Sequence, residues 1–270
     1  MPTIETSSGT TIYYEEHGEG EPLLCVMGLS ADTLAWALQV PTFSQRHRTV
    51  IFDNRDVGQS SPGGAEYEVA DMARDTLDLA DALGLDSFHL LGVSMGGAIA
   101  QEIALAAPDR VRTLTLTVTF ARGGAWGQLL AKVWGERVRE APRERHVDEL
   151  LLLNLSEELF EDPAKVEFAR NLMLQNPHPQ EPEAFTRQLA ASARHDALDR
   201  LPTLAMPVHV IGGERDILVP VWKSQELADV IPGAKLTVLE GAPHGLNFER
   251  AQEYNELVLG FIAEHEPATV

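Results

Sequence analysis

Residues 92–97 read Gly-Val-Ser-Met-Gly-Gly, between an apolar run, Phe88-His89-Leu90-Leu91, and a helical pattern carrying Ala98, Ile99, Ile103, Ala104 and Ala107. The segment is a strand-to-helix turn with a serine at its apex and glycines two residues to either side. Side chains at Gly92 or Gly96 would collide where strand and helix nearly touch, so the two glycines permit the sharp turn. Ser94 is then forced into a sparsely populated backbone region, at about 1–3 kcal/mol. The strain exposes its hydroxyl at the carboxyl edge of a sheet. Below it lies a helix N-terminus whose first N–H groups are free to bind an oxyanion. Ser94 is the candidate nucleophile.

Around this turn, strands alternate with helices. Residues 10–15, 22–27, 49–52, 88–93, 111–119, 207–212 and 235–239 read as strands, and 36–43, 69–83, 222–230 and 248–263 as helices. Such alternation predicts βαβ units and a parallel sheet covered on both faces. In the 69–83 helix, Asp71, Asp75, Asp78 and Asp81 lie opposite the apolar stripe and read as a solvated acidic face rather than a metal site. Between 120 and 201 the pattern is helical without a convincing strand. Arg122-Gly123-Gly124 begins it flexibly. Asp162-Pro163 reads as an N-cap with proline at the first helical position, and Asn176-Pro177 closes that helix. At 270 residues the chain fits one large α/β core, 1–119 with 202–270, into which a helical cap, 120–201, is inserted.

A serine hydroxyl needs a base, and the base needs an orienting acid. Of nine histidines, His244 stands out. It sits in Gly241-Ala242-Pro243-His244-Gly245, a loop after a strand and before the last helix, on the same rim as Ser94. His89 and His209 lie inside apolar strands and read as core. His17, His47, His146, His178, His195 and His265 read as surface. The acid is expected after a strand between serine and histidine, where Glu214 and Asp216 both stand; Asp216 is preferred, with Glu214 capping the turn. Two backbone N–H groups, of Met95 and of Leu29, are placed to hold a developing oxyanion, each worth about 3–4 kcal/mol of barrier. Gly28 lets the second of these approach closely.

With 21 basic and 41 acidic residues the formal charge is −20, a field that repels nucleic acid and anionic membrane surfaces. One cysteine, Cys25, excludes a disulfide within the chain and a zinc–thiolate cluster, and it reads as a small core residue. The first residues carry neither a basic start nor an apolar stretch, and no run approaches a membrane span. The expectation is a cytoplasmic protein without metal or cofactor.

The order serine, acid, histidine resembles the α/β-hydrolase family, and the likeness covers almost the whole chain. Asp53-Asn54-Arg55-Asp56-Val57-Gly58-Gln59-Ser60 is similar to the family's Asp-x-Arg-Gly-x-Gly-x-Ser loop, with Asp56 in place of glycine. Aspartate tolerates left-handed backbone better than most residues, so the turn is expected to survive. Met27-Gly28 stands where the family usually has His-Gly. The resemblance implies an α/β-hydrolase fold: a mostly parallel eight-stranded sheet, helices on both faces, a helical cap, and no cofactor. Serine at position 94 places the chain in the serine branch. Within it the chain resembles aclacinomycin methylesterase, 3-oxoadipate enol-lactonase and the cofactor-free haloperoxidases.

The function expected is cleavage of a small-molecule carboxylic ester or lactone by acyl transfer through Ser94, His244 and Asp216. Perhydrolysis and C–C bond hydrolysis use the same residues and stand as alternatives, with a non-catalytic small-molecule receptor behind them. The global charge favours neutral or apolar esters unless Arg55 or Arg122 faces the pocket. Trp126, Leu129, Leu130, Val133 and Trp134 fall at helical spacing in the cap, where they either line an apolar pocket or form the cap's own core.

Overall fold

The computed structural model describes residues 2–266. Eight strands form one sheet: β1 (Thr3–Glu5), β2 (Thr11–His17), β3 (Glu21–Val26), β4 (His47–Phe52), β5 (Phe88–Val93), β6 (Val111–Thr117), β7 (Val208–Gly213) and β8 (Lys235–Leu239). Their spatial order is β1-β2-β4-β3-β5-β6-β7-β8. The pairs β1–β2 and β2–β4 are antiparallel and every other neighbouring pair is parallel. The three-residue β1 lies outside the sequence reading, because so short a strand carries no alternation.

Side chains alternate across a strand, and here both faces are apolar. Leu24, Val26, Val50, Phe52, Leu90, Leu114, Leu116, Val208 and Val210 point to one side, where they meet Met72, Leu79, Ile99, Ile103 and Leu227. Those partners come from helices α2 (Val69–Ala82), α3 (Met95–Ala106) and α9 (Trp222–Val230). Leu23, Cys25, Ile51, Leu91, Val93, Ile211 and Leu239 point to the other side. They meet Phe43 of α1 (Val40–Phe43) and Tyr254, Val258 and Ile262 of α11 (Ala251–His265), with α10 (Leu246–Glu249) just before. A sheet buried on both faces needs helices on both, which is the layering the sequence predicts.

Five helices connect β6 to β7: α4 (Gly124–Glu140), α5 (Arg143–Asn154), α6 (Glu157–Phe160), α7 (Pro163–Leu174) and α8 (Pro182–Arg194). They hold a small core of their own around Trp134, Val138, Leu150, Phe185 and Leu189. The two ends of this segment pair with each other: Gly123 N–H donates to His195 C=O at 2.9 Å and Ala197 N–H to Ala121 C=O at 2.9 Å. Asp162 caps α7 through its side chain, accepting from Lys165 N–H at 3.3 Å.

Several local expectations are corrected. Residues 36–43 are not one helix: a 3-10 turn, Thr33–Trp36, is followed by the short α1, in which Pro41 stands in the first turn. The last helix breaks at Arg250 into α10 and α11. Asp75 is not solvated. It is buried and accepts from Arg55 Nε at 2.6 Å, because the loop carrying Arg55 lies across that turn of α2. His47 and His195 are buried rather than on the surface, His195 between Gln101 and Glu102 of α3. Among the described residues no helix is long and apolar enough to cross a membrane.

Candidate active site

In a parallel sheet the loops leaving the carboxyl ends of the strands share one rim, and sites gather there. Leu29 follows β3, Ser94 follows β5, Asp216 follows β7 and His244 follows β8. Four segments far apart in sequence therefore converge.

Ser94 has φ 55° and ψ −121°, a conformation that few side-chain-bearing residues adopt. The packing that enforces it is explicit. A Cβ on Gly92 would strike the Gly96 carbonyl, and one on Gly96 would strike the carbonyl of Val26 in β3. The Ser94 carbonyl is fixed in turn by Thr119, whose hydroxyl donates to it at 2.6 Å.

His244 is buried, with Nε2 3.0 Å from Ser94 Oγ and Nδ1 2.6 Å from Asp216 Oδ2. A carboxylate only accepts, so the ring carries its proton on Nδ1 and leaves Nε2 to accept from the serine hydroxyl. The other oxygen of Asp216 accepts from Leu218 N–H at 2.9 Å and Val219 N–H at 2.7 Å. Both oxygens are thus engaged and the carboxylate cannot rotate freely. Glu214 is exposed and accepts from Gly241 N–H at 2.8 Å, across the turn beside the histidine loop.

The amides of Leu29 and Met95 have no acceptor among the described residues, and both residues line the cavity next to Ser94. Met95 begins α3, so its N–H is one of the free donors of a helix N-terminus. The Leu29 loop is held from two directions. Asn54 Nδ2 donates to the Met27 carbonyl at 2.9 Å, and Ser30 N–H, at φ 66°, donates to Gln188 Oε1 at 3.1 Å. Gln188 is fully buried in α8, and its amide nitrogen, Nε2, donates to the Arg55 carbonyl at 2.8 Å. It is a contact the sequence reading missed, since nothing local marks a helix glutamine as a partner for a loop 158 residues away.

The 53–60 loop runs beneath. Asp53 is buried and accepts from Thr33 N–H and Gln59 N–H, both at 2.7 Å, and burial pushes its pKa up to about 6. Asp56 takes φ 71°, the left-handed turn expected of the residue that replaces glycine. Its carboxylate accepts from Tyr67 Oη, Gly63 N–H and the Arg187 guanidinium.

A cavity of about 410 Å³ opens over Ser94 and His244, between the sheet rim and helices α4, α5, α7 and α8. Of the cap residues named from sequence, Trp126, Leu130 and Trp134 line it. Leu129 and Val133 do not. They are 62% and 55% exposed, because the inward stripe of α4 passes through 126, 127, 130 and 134 and leaves 129 and 133 off it. Trp134 also belongs to the cap core, with its ring centroid 5.0 Å from that of Phe185. Arg122 lines the cavity; Arg55 does not and is engaged by Asp75.

A family model described as alpha/beta hydrolase fold matches residues 21–251. A protein of Azorhizobium caulinodans provisionally named carbamate hydrolase RutD is 28% identical over 94% of this chain and 95% of its own. A thermophilic esterase from Thermogutta terrifontis is 27% identical, with a TM-score of 0.87 over 98% of this chain and 99% of that one. The BpoC protein of Mycobacterium tuberculosis H37Rv, provisionally named a non-heme bromoperoxidase, is 28% identical, with a TM-score of 0.86 over 95% and 97% of the two chains.

Proposed function

The chain belongs to the alpha/beta hydrolase fold family, and within it we propose a serine hydrolase that cleaves a carboxylic ester or lactone by acyl transfer. The observation that carries this reading is the continuous relay from Ser94 Oγ through His244 to Asp216, with spacings of 3.0 and 2.6 Å. No other histidine of the described chain reaches Ser94.

Ser94 Oγ attacks the carbonyl carbon while His244 Nε2 takes its proton, and Asp216 stabilises the imidazolium that forms. The carbonyl electrons move to oxygen, and the Leu29 and Met95 N–H groups donate hydrogen bonds to the oxyanion. These donors are already in place, so little reorganisation accompanies the charge shift. Collapse of the tetrahedral intermediate expels the alcohol, which takes the proton from His244 and leaves an acyl-Ser94 ester. Water then attacks that ester with His244 as base, releasing the acid and restoring the hydroxyl.

The test is a panel of 4-nitrophenyl esters of increasing chain length, several lactones and an aryl carbamate, each run against Ser94→Ala. Turnover of esters or lactones that vanishes in Ser94→Ala, with a serine-directed phosphonate attached to Ser94, is the expected result. A rate confined to the carbamate would move the scissile bond while keeping the triad. Absence of both labelling and turnover would overturn the reading.

A further inference from the structure

We propose that Lys223 and Arg122 form an anion subsite in the cavity, which selects esters or lactones carrying a carboxylate away from the scissile carbonyl. The proposal rests on the acyl-transfer reading above and narrows its substrate class.

The chain as a whole carries −20, yet the cavity does not share that sign. Among the described residues lining it, Arg122, Arg143 and Lys223 are basic and Asp32 alone is acidic. Asp32 is already occupied, accepting from Leu34 N–H at 3.0 Å and Asn176 Nδ2 at 2.6 Å. Arg122 is itself paired with Glu226, so the uncompensated positive charge on the cavity wall is carried by Lys223 and Arg143, a feature that solubility does not require.

Lys223 is the anomalous group. It is 8% exposed, and no carboxylate lies within ion-pair distance of it among the described residues. Lysine is rarely buried without a paired charge. Its Nζ donates to the Arg122 carbonyl at 2.7 Å and stands 4.7 Å from the centroid of the Trp222 ring. An ammonium has three donors, and one carbonyl leaves two of them uncommitted. Its position adds to the strain: it lies in the first turn of α9, where the helix dipole repels a cation and favours an anion. Burial accordingly pulls its pKa below the usual lysine value, with the Glu226 carboxylate opposing.

Placement ties this group to the chemistry. The loop from Asp216 runs through Leu218, Val219 and Pro220, all on the cavity wall, directly into α9. Arg122 faces the same region from the segment leading into the cap, its guanidinium 3.2 Å from Glu226 and 47% exposed. An anion bound here would meet an ammonium with free donors and the amino end of a helix, and would relieve the unpaired buried charge.

The test separates charge from shape. Ser94→Ala is titrated calorimetrically with 4-nitrophenyl hemiglutarate and with 4-nitrophenyl pentanoate, which has the same acyl length and no charge. The hemiglutarate is expected to bind about 10- to 100-fold more tightly, the range of one charge-assisted hydrogen bond. In the same background Lys223→Met should reduce that ratio at least about tenfold and Lys223→Arg should preserve it. Arg122→Gln, at a half-exposed position where folding is not at risk, should reduce it as well. Equal affinities for the two esters, or a preference indifferent to Lys223→Met, would overturn the subsite. Turnover by the wild-type protein is read separately. Hydrolysis of both esters with equal kcat/KM counts against the subsite and leaves the acyl-transfer reading intact. Tight hemiglutarate binding with no acylation of Ser94 does the reverse.

Discussion

Arg187 of α8 grips Asp56 of the 53–60 loop with two hydrogen bonds, Nε to Oδ2 at 2.9 Å and NH2 to Oδ1 at 2.5 Å. The pair bridges the helical cap and the sheet rim, and the Asp56 side chain is completely buried. Replacing Asp56 by the glycine usual in the family brings two opposed effects. Glycine relieves a left-handed backbone, worth about 1–2 kcal/mol. It also strips the partner from Arg187 and Tyr67, and breaking a buried ion pair costs about 3–5 kcal/mol. The second effect wins, so Asp56→Gly should destabilise by about 2 kcal/mol in urea unfolding. In Asp56→Gly/Arg187→Met the two losses should fall short of additivity by about 1–3 kcal/mol.

The strain at Ser94 can be measured by subtraction. Ser94→Ala and Ser94→Gly both lose the hydroxyl, and only glycine adopts φ 55° without penalty. Ser94→Gly should therefore melt above Ser94→Ala by about 2–4 °C, the equivalent of about 1 kcal/mol in a chain of this size. Identical melting temperatures would mean the turn stores no strain.

Asp216→Asn should lower kcat by about 10⁴-fold with the fold intact. The amide oxygen would stay on the Leu218 and Val219 N–H groups, leaving the NH₂ facing His244 Nδ1. Two donors cannot face each other, so the ring proton moves to Nε2. That nitrogen can then no longer accept from Ser94. Single-turnover kinetics with a 4-nitrophenyl ester would read the loss in acylation itself.

Gln188 joins the Leu29 loop to the cap. Gln188→Leu leaves Ser30 N–H and the Arg55 carbonyl without their partner and frees the loop that carries Leu29, the proposed oxyanion donor. The expected outcome is a kcat lowered by about 10- to 100-fold with KM little changed, since the loop serves the transition state more than the bound substrate. A change in KM alone would place Gln188 in ground-state binding.

These contacts also mark what the sequence conceals. The turn at Ser94 is legible because strain needs glycines at fixed offsets, and the sheet is legible because two apolar faces demand unbroken runs such as Leu23-Leu24-Cys25-Val26. Local rules suffice for both. Asp75 and Asp78 fall on the polar side of a helix and look alike, but only Asp75 meets Arg55 beneath a loop. His195 sits in a polar stretch and becomes buried only when the cap's exit returns against α3. Gln188 and Arg187 are ordinary helix residues until the cap docks. In each case the deciding partner is more than a dozen residues away, where periodicity carries no information.

The buried histidines set the acid limit of the fold. Burial holds His89, His195 and His209 down to about 4, and it shifts His47 the same way. In the unfolded chain these rings take protons near about 6.5. Between those values the unfolded state binds more protons than the folded one, so stability falls as pH falls. Asp53 works in the opposite direction. Raised to about 6, it contributes stability that is full below its unfolded value of about 4 and is lost as pH rises through 6. Each pKa unit corresponds to about 1.4 kcal/mol, and three histidines outweigh one carboxylate. The urea midpoint should therefore drop steadily from pH 7.5 to 5. His209→Gln, which can keep a hydrogen bond to Thr237 Oγ1 and cannot titrate, should flatten the slope. A midpoint that holds level or climbs on acidification would show that these rings accept protons without leaving the core.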